Sequence, residues 1–317
     1  MSNDLKQVIF PVVFHKDYTI DPPGGHRFPM GKNELIMKIL LNNGLLDETR
    51  IFTPNAASRK ELCLAHDSDY IDNVLKKQLD KSAERKLGFQ CSDEIVRRAL
   101  AAVGGTILTG RLAIENRIAF NLAGGSHHGH PGHAAGFCLF NDVAVAVKVL
   151  QKESIIRKAL IIDLDVHQGD GTACFFSHDP SVFTFSIHCE QNYPDKKQFS
   201  NMDFGLPEGT GDNKYISCLK TNLPVAIQKS NPDIVFFNAG VDPHLDDKLG
   251  KLQLSNSGLI IRDYITLELC WKSKIPVACV IGGGYADNLH ELAYKHTSVL
   301  RATQLLVNGK QPKKDFP

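Results

Sequence analysis

The chain has no Cys-x-x-Cys pair among its eight cysteines, no block of basic residues, and no linker rich in proline or serine. Nor does it contain an apolar stretch near the roughly 20 residues that a membrane-crossing helix requires. Each absence excludes something. The scattered cysteines (Cys63, Cys91, Cys138, Cys174, Cys189, Cys218, Cys270 and Cys279) sit mostly in or beside apolar segments and read as reduced, buried thiols. With 36 Lys and Arg against 35 Asp and Glu, the formal net charge is +1, and only short pairs such as Lys76-Lys77 and Lys313-Lys314 stand out. Electrostatics therefore give no case for nucleic acid. The first seven residues lack a charged-then-apolar signal arrangement, so a cytoplasmic protein without a membrane partner is expected. With no dividing linker, one domain over residues 1–317 is the expectation.

What the chain does have is a series of short, nearly continuous apolar runs, at 8–14, 118–123, 159–164, 182–187, 234–237 and 277–281. Each is long enough for a strand and too uniformly apolar to leave one face in water, which is the pattern of a parallel sheet buried on both sides. Helix-like segments alternate with them, at 93–112 with Ser92 as cap, and at 141–151, 214–230, 257–271 and 288–307. Strand–helix alternation predicts a three-layer α/β architecture, and ligands in such sheets bind beyond the carboxyl ends of the strands. The Pro- and Gly-rich stretch 21–30 is expected to be a loop on the rim of that site.

Chemistry-bearing residues collect at those ends. Asp163-Leu-Asp165-Val-His167-Gln-Gly-Asp170-Gly171 places three carboxylates and an imidazole within eight residues of an apolar run. On an extended strand Asp163, Asp165 and His167 would project to one face. Gly124-Gly125-Ser126-His127-His128 ends a second run, Asp242 a third, and Gly282-Gly-Gly284-Tyr285 a fourth. Either of the first two clusters alone is as readily a solvated loop; four polar strand ends together define a rim. If Asp165, His167 and Asp242 bind one divalent cation, three protein ligands leave a position open for water and substrate, the catalytic pattern for Zn2+. Two oxygens and one nitrogen would also suit Fe2+ or Mn2+. Such a cation lowers the pKa of water towards ~7 and polarises a carbonyl. His127 and His128 would transfer protons, with Asp163 and Asp170 fixing their tautomers, and the Tyr285 phenol would donate to a developing oxyanion. The set describes hydrolysis of an amide.

These motifs, with Gly136-Phe137-Cys138-Leu-Phe-Asn141-Asp142 and Ala239-Gly-Val-Asp242, resemble the ordered motifs of the histone deacetylase family. Two further segments, His26-Arg27-Phe28-Pro29-Met30 and Gly205-Leu206-Pro-Glu-Gly-Thr-Gly211, are most similar to bacterial deacetylase-like members near class IV. The resemblance covers roughly residues 8–306. It implies an arginase-like, mainly parallel sheet of eight strands, zinc on Asp165, His167 and Asp242, and the pairs His127–Asp163 and His128–Asp170. It further implies that Phe137 walls a narrow tunnel for the acyl-lysine stem and that the Gly136 carbonyl accepts the substrate amide N–H. A structural potassium ion would lie around Asp163, Asp165, His167 and Ser186. The substrate so implied is an acetyl-lysine, or longer acyl-lysine, of a protein or peptide.

Two departures bear on substrate. Where class I enzymes carry an aspartate that grips the substrate backbone, this chain has Gln90, in Gly88-Phe89-Gln90-Cys91. Polyamine-selective relatives place a glutamate seven residues beyond the third ligand; here that position is Leu249. Acetylpolyamine or other small acetyl-amine hydrolysis is thus the second reading, and an inactive metal-binding interaction module the third. A two-manganese hydrolase is disfavoured because His127 and His128 stand where further carboxylates would be needed. Oligomeric state is not legible.

Overall fold

In the computed structural model the described residues are 10–20 and 28–313. Residues 8 and 9 of the first apolar run, most of the 21–30 loop including His26 and Arg27, the first seven residues, and Lys314 lie outside them. Eight strands form one sheet: β1 (Val12–Val13), β2 (Ile51–Phe52), β3 (Ile118–Asn121), β4 (Ala159–Asp163), β5 (Val182–Cys189), β6 (Met202–Leu206), β7 (Ile234–Asn238) and β8 (Val277–Val280). Their order is β2-β1-β3-β8-β7-β4-β5-β6, and every pairing is parallel. Eight parallel strands are what the resemblance to the deacetylase family implies.

Why the strand sequences are apolar throughout follows from the two cores. Phe120, Leu160, Ile162, Val235, Phe237 and Cys279 face one core, which is completed by helices Lys32–Asn42, Asp212–Ser230, Asn256–Lys272 and Ser298–Val307. Their alternate neighbours Ala119, Ile161, Phe236 and Ala278 face the other, built on helices Asp93–Asn116 and Asp142–Lys152. With both faces covered, a period-2 alternation of polar residues has no place.

Local capping sets the helix starts. The Ser92 hydroxyl accepts from Ile95 N at 3.3 Å and Asn141 Oδ1 from Ala144 N at 2.9 Å, each supplying an acceptor for an amide the helix leaves unpaired. The expected helix over 288–307 is two helices, Leu289–Lys295 and Ser298–Val307. Between them the Thr297 amide and hydroxyl both bond to the Tyr294 carbonyl, at 3.0 and 2.6 Å, in place of the next helical turn.

Candidate active site

The sheet delivers four loops to one rim: the loop after β3 with His127 and His128, after β4 with Asp165 and His167, after β7 with Asp242, and after β8 with Tyr285. One local expectation is corrected. β4 ends at Asp163, and Asp165 and His167 lie in a bend beyond it, so strand alternation does not aim them. Side-chain carboxylates fold that bend instead. Asp163 Oδ1 accepts from Asp165 N at 3.2 Å, Asp165 Oδ1 from His167 N at 3.0 Å, and Asp242 Oδ1 from Val166 N at 2.8 Å.

The bend brings Asp165, His167 and Asp242 together, with one potential ligand atom from each within 4.8 Å of the others and all three residues buried. His167 Nδ1 stands 3.1 Å from Asp165 Oδ1 and 3.2 Å from Asp242 Oδ2. Two features show that this donor set fits a cation. Asp242 Oδ2 is a fully buried oxygen without a hydrogen-bond donor, a costly arrangement for a carboxylate unless something positive satisfies it. Burial opposes a charged imidazole, yet the two carboxylates outweigh it and lift His167 to about 10; burial, then Asp165, lifts Asp242 to about 7. Concentrated negative charge thus draws positive charge to this point. Gly283 is what leaves room, since a Cβ there would meet Asp242 Oδ2 and Asp165 Oδ2 at 2.1 and 2.7 Å.

Two imidazole–carboxylate pairs flank the trio. His127 Nδ1 lies 2.7 Å from Asp163 Oδ2 and His128 Nδ1 2.6 Å from Asp170 Oδ1, and the two rings are 4.1 Å apart. With Nδ1 engaged in both, each ring has Nε2 left for other work. Their electrostatics diverge. Burial disfavours charge on both rings, but Asp163 and Asp165 overcome it and raise His127 to about 9. Burial and the neighbouring charge of His127 lower His128 to about 4, against the pull of Asp170. Adjacent groups pushed apart in this way are suited to opposite proton roles.

Above them is a cavity of about 290 Å³ whose lining includes Phe137, Tyr193, Leu249, Tyr285, His128 and His167. Phe137 occupies a left-handed conformation, φ 68°, unusual for an aromatic residue and costing about 1–2 kcal/mol. Its amide bonds to Leu87 O at 2.9 Å, and its ring stacks on Phe89 at 5.6 Å, which holds it there. Gly136, also at positive φ, donates to Lys86 O at 3.1 Å, while its own carbonyl lies 3.3 Å from the Cys138 thiol. Tyr285 is anchored by its main chain, N donating to Asp247 Oδ2 at 2.7 Å and O accepting from Lys248 N at 3.1 Å. Burial, then the charges of Asp242 and Asp165, push its phenol well above the usual range, so it stays protonated and able to donate. Leu249 is partly buried and fixed by main-chain bonds to Asp247 Oδ1 and Asn192 Nδ2, both 2.8 Å.

Sequence reasoning passed over several contributors. Tyr193, 40% exposed, sets its ring 4.8 Å from that of His128 and faces the cavity as Phe137 does. Asn238 Nδ2 donates to Asp163 Oδ1 at 3.0 Å, and His130 Nε2 lies 3.2 Å from the second oxygen of Asp170. Asp142 organises the histidine loop, accepting from Gly125 N, Ser126 N and the Thr106 hydroxyl at 3.1, 2.7 and 2.6 Å. Beneath the glycine turn, buried Lys32 Nζ reaches Gly282 O and His296 Nε2, each at 3.1 Å. The only sequence signal for these was a polar residue close to an apolar run or a motif.

A model of the histone deacetylase domain matches residues 26–302. The chain belongs to the histone deacetylase family. An uncharacterized protein of Picosynechococcus sp. is 47% identical over 295 residues, 93% of this chain and 98% of that one. Histone deacetylase 2 of Arabidopsis thaliana is 30% identical over 270 residues, 82% of this chain and 70% of that one. Among solved structures, a histone deacetylase homologue from Aquifex aeolicus superposes with a TM-score of 0.80 at 25% identity, covering 96% of this chain and 85% of that one. By family the chain is a metal-dependent deacetylase, a hydrolase acting on an acetylated substrate. Among the described residues no helix is long and apolar enough to cross a membrane.

Proposed function

We propose that the chain is a zinc-dependent lysine deacetylase that removes acetyl, or longer acyl, groups from lysine side chains of proteins. What carries the reading is the convergence on one apolar-walled cavity of a cation-fitting trio, a neutral imidazole and a protonated phenol. A divalent cation on Asp165, His167 and Asp242 would acidify water and polarise the amide carbonyl. His128, kept neutral by burial, takes the proton of the attacking water through Nε2 while Asp170 holds its Nδ1–H. His127, whose charged form its partner Asp163 favours, supplies the proton that the departing lysine nitrogen requires, with Asp163 and Asn238 keeping the ring in place. Tyr285 donates to the carbonyl oxygen as it becomes an oxyanion. Phe137 and Tyr193 enclose the lysine methylenes, the Gly136 carbonyl accepts the substrate N–H, and Leu249 meets the substrate at the mouth. Ser186 pairs with Asp163 across β4 and β5, a register that would suit a potassium ion held beside them. Turnover of acyl-lysine peptides and acetylpolyamines of graded acyl length tests the proposal; acyl-lysine peptides should be the better substrates, and turnover should cease with a chelator.

The charges around Asp242 and His167 give one pH dependence a definite sign. Below about 7 the Asp242 carboxyl carries a proton, and below about 10 so does His167; both protons must leave for these atoms to ligate. Zinc affinity should therefore rise with pH. Calorimetry in buffers of different ionisation enthalpy should find about one proton released per ion at pH 8 and nearly two at pH 6. Equal affinity and no proton release at both pH values would remove His167 as a ligand, since even an ordinary imidazole, with a pKa of about 6.5, would release a proton on ligating at pH 6.

Substrate choice has its own test. Leu249 offers nothing to offset desolvation of a second ammonium, so acetylpolyamines should be poor substrates. Leu249→Glu should raise kcat/KM for acetylspermidine about tenfold while leaving neutral acetyl-lysine peptides unchanged or worse. If the parent enzyme prefers acetylspermidine to every acyl-lysine peptide, polyamine hydrolysis replaces the lysine reading.

A further inference from the structure

Helix Lys81–Leu87 ends against the walls of the cavity mouth. Its last turn is welded to them by two main-chain bonds, Gly136 N to Lys86 O at 3.1 Å and Phe137 N to Leu87 O at 2.9 Å. Gly88, at φ +95°, closes the join, because a Cβ there would lie 2.5 Å from the Phe137 ring. The two residues this junction places beside the opening are Arg85 and Lys86, both exposed and both part of the cavity lining.

No carboxylate lines that cavity among the described residues, although two cations do. The acidic residues nearest in the chain are turned to other tasks. Asp80 Oδ1 caps the helix at Ala83 N, 2.7 Å, and Glu84 Oε1 accepts from Cys91 N at 2.9 Å. Asp93 pairs with Lys77 at 2.6 Å. The field of Lys86 also reaches inward: burial, then His130 and Lys86, lower the pKa of His133, on the loop that follows the paired histidines. Two cations in the last turn of a helix also favour its dipole, which accounts for their presence in the helix but not for a mouth without a compensating anion.

We infer that the mouth selects acyl-lysine substrates carrying a carboxylate beside the acyl-lysine, with Arg85 and Lys86 as its receptors. The inference rests on the lysine deacetylase reading. Gln90, two residues beyond Gly88, is exposed and neutral and adds no compensating anion to this segment. Two sources share that chemistry, an Asp or Glu side chain flanking the lysine and the free α-carboxylate of acetyl-lysine itself. A cationic mouth attracts either one, and salt weakens the attraction.

The test compares kcat/KM on acetyl-lysine peptides flanked by Glu, by Ala and by Lys, and on Nα-acetylated acetyl-lysine with its carboxylate free and with it amidated. At low ionic strength the Glu-flanked peptide should exceed the Lys-flanked one by about tenfold or more, and the ratio should shrink in ~0.5 M salt. Preference for the free over the amidated amino acid, with no effect of Glu flanks, would identify the α-carboxylate as the source. Arg85→Gln with Lys86→Gln should bring the Glu/Lys ratio near one, and Arg85→Glu with Lys86→Glu should invert it. A role confined to the helix dipole predicts a lower Tm with the ratio unmoved. Turnover of the Ala-flanked peptide with no dependence on flanking or terminal charge overturns this inference alone. Failure of all the lysine substrates while acetylspermidine is hydrolysed overturns the lysine reading beneath it.

Discussion

Asp242→Ala is expected to purify without its metal and to lose turnover by a factor of about 10³ or more, since two remaining ligands, Asp165 and His167, cannot hold the ion against water. The side chain has two jobs in the structure, and they can be separated. Oδ1 accepts the Val166 amide at 2.8 Å and so shapes the bend that carries Asp165 and His167. Oδ2 is the buried oxygen that no hydrogen bond satisfies. Asp242→Asn retains an acceptor for Val166 and removes the charge, so it should keep the parent Tm in the metal-free state while still failing to retain the metal. Alanine should fail in both respects. Elemental analysis of each purified protein beside its thermal unfolding gives the answer, and full occupancy in Asp242→Ala would show that the ion is held elsewhere.

The strands at the centre of the sheet were legible because burial on both faces forbids polar residues there; β4 and β7 read as apolar runs for that reason. The edges were not. β2 is two partly buried residues, and β6 reads Met-Asp-Phe-Gly-Leu with only its last residue buried, so neither carries the pattern of the centre. The helix Lys32–Asn42 also went unread, although Ile36, Ile39 and Leu40 share its buried face, because its apolar residues run nearly unbroken from Leu35 to Leu41 and blur the helical period.

In the site, residue types at strand ends marked which polar groups would gather, and the groups that set their electrostatics stayed hidden. His127 and His128 are neighbours with the same side chain and a carboxylate each. They separate to about 9 and about 4 because Asp165 stands near one and the charge of the first opposes the second, distances that only the folded β4 bend creates. Tyr193 was illegible for another reason. It lies in the connection between β5 and β6, outside every motif read in the sequence, and only the fold brings it to the cavity that Phe137 also lines.

Tyr285→Phe tests the remaining chemical group with the smallest available change. It deletes one hydroxyl and leaves the ring that packs near Phe137 and Phe28, at centroid distances of 6.1 and 6.2 Å, so folding and metal content should match the parent. The main-chain anchors to Asp247 and Lys248 do not involve the phenol and persist in the variant. What disappears is a donor held protonated by burial and by the carboxylates of Asp242 and Asp165, which on the proposed mechanism meets the amide carbonyl as it gains charge. Loss of such a donor typically lowers kcat by ~10²–10³. Because the contact strengthens as the oxyanion forms, the fall should appear in kcat more than in KM. The pH–rate profile should keep its shape, since the phenol does not titrate in the working range. A kcat within twofold of the parent would show that the hydroxyl takes no part, and the oxyanion would then depend on the cation alone.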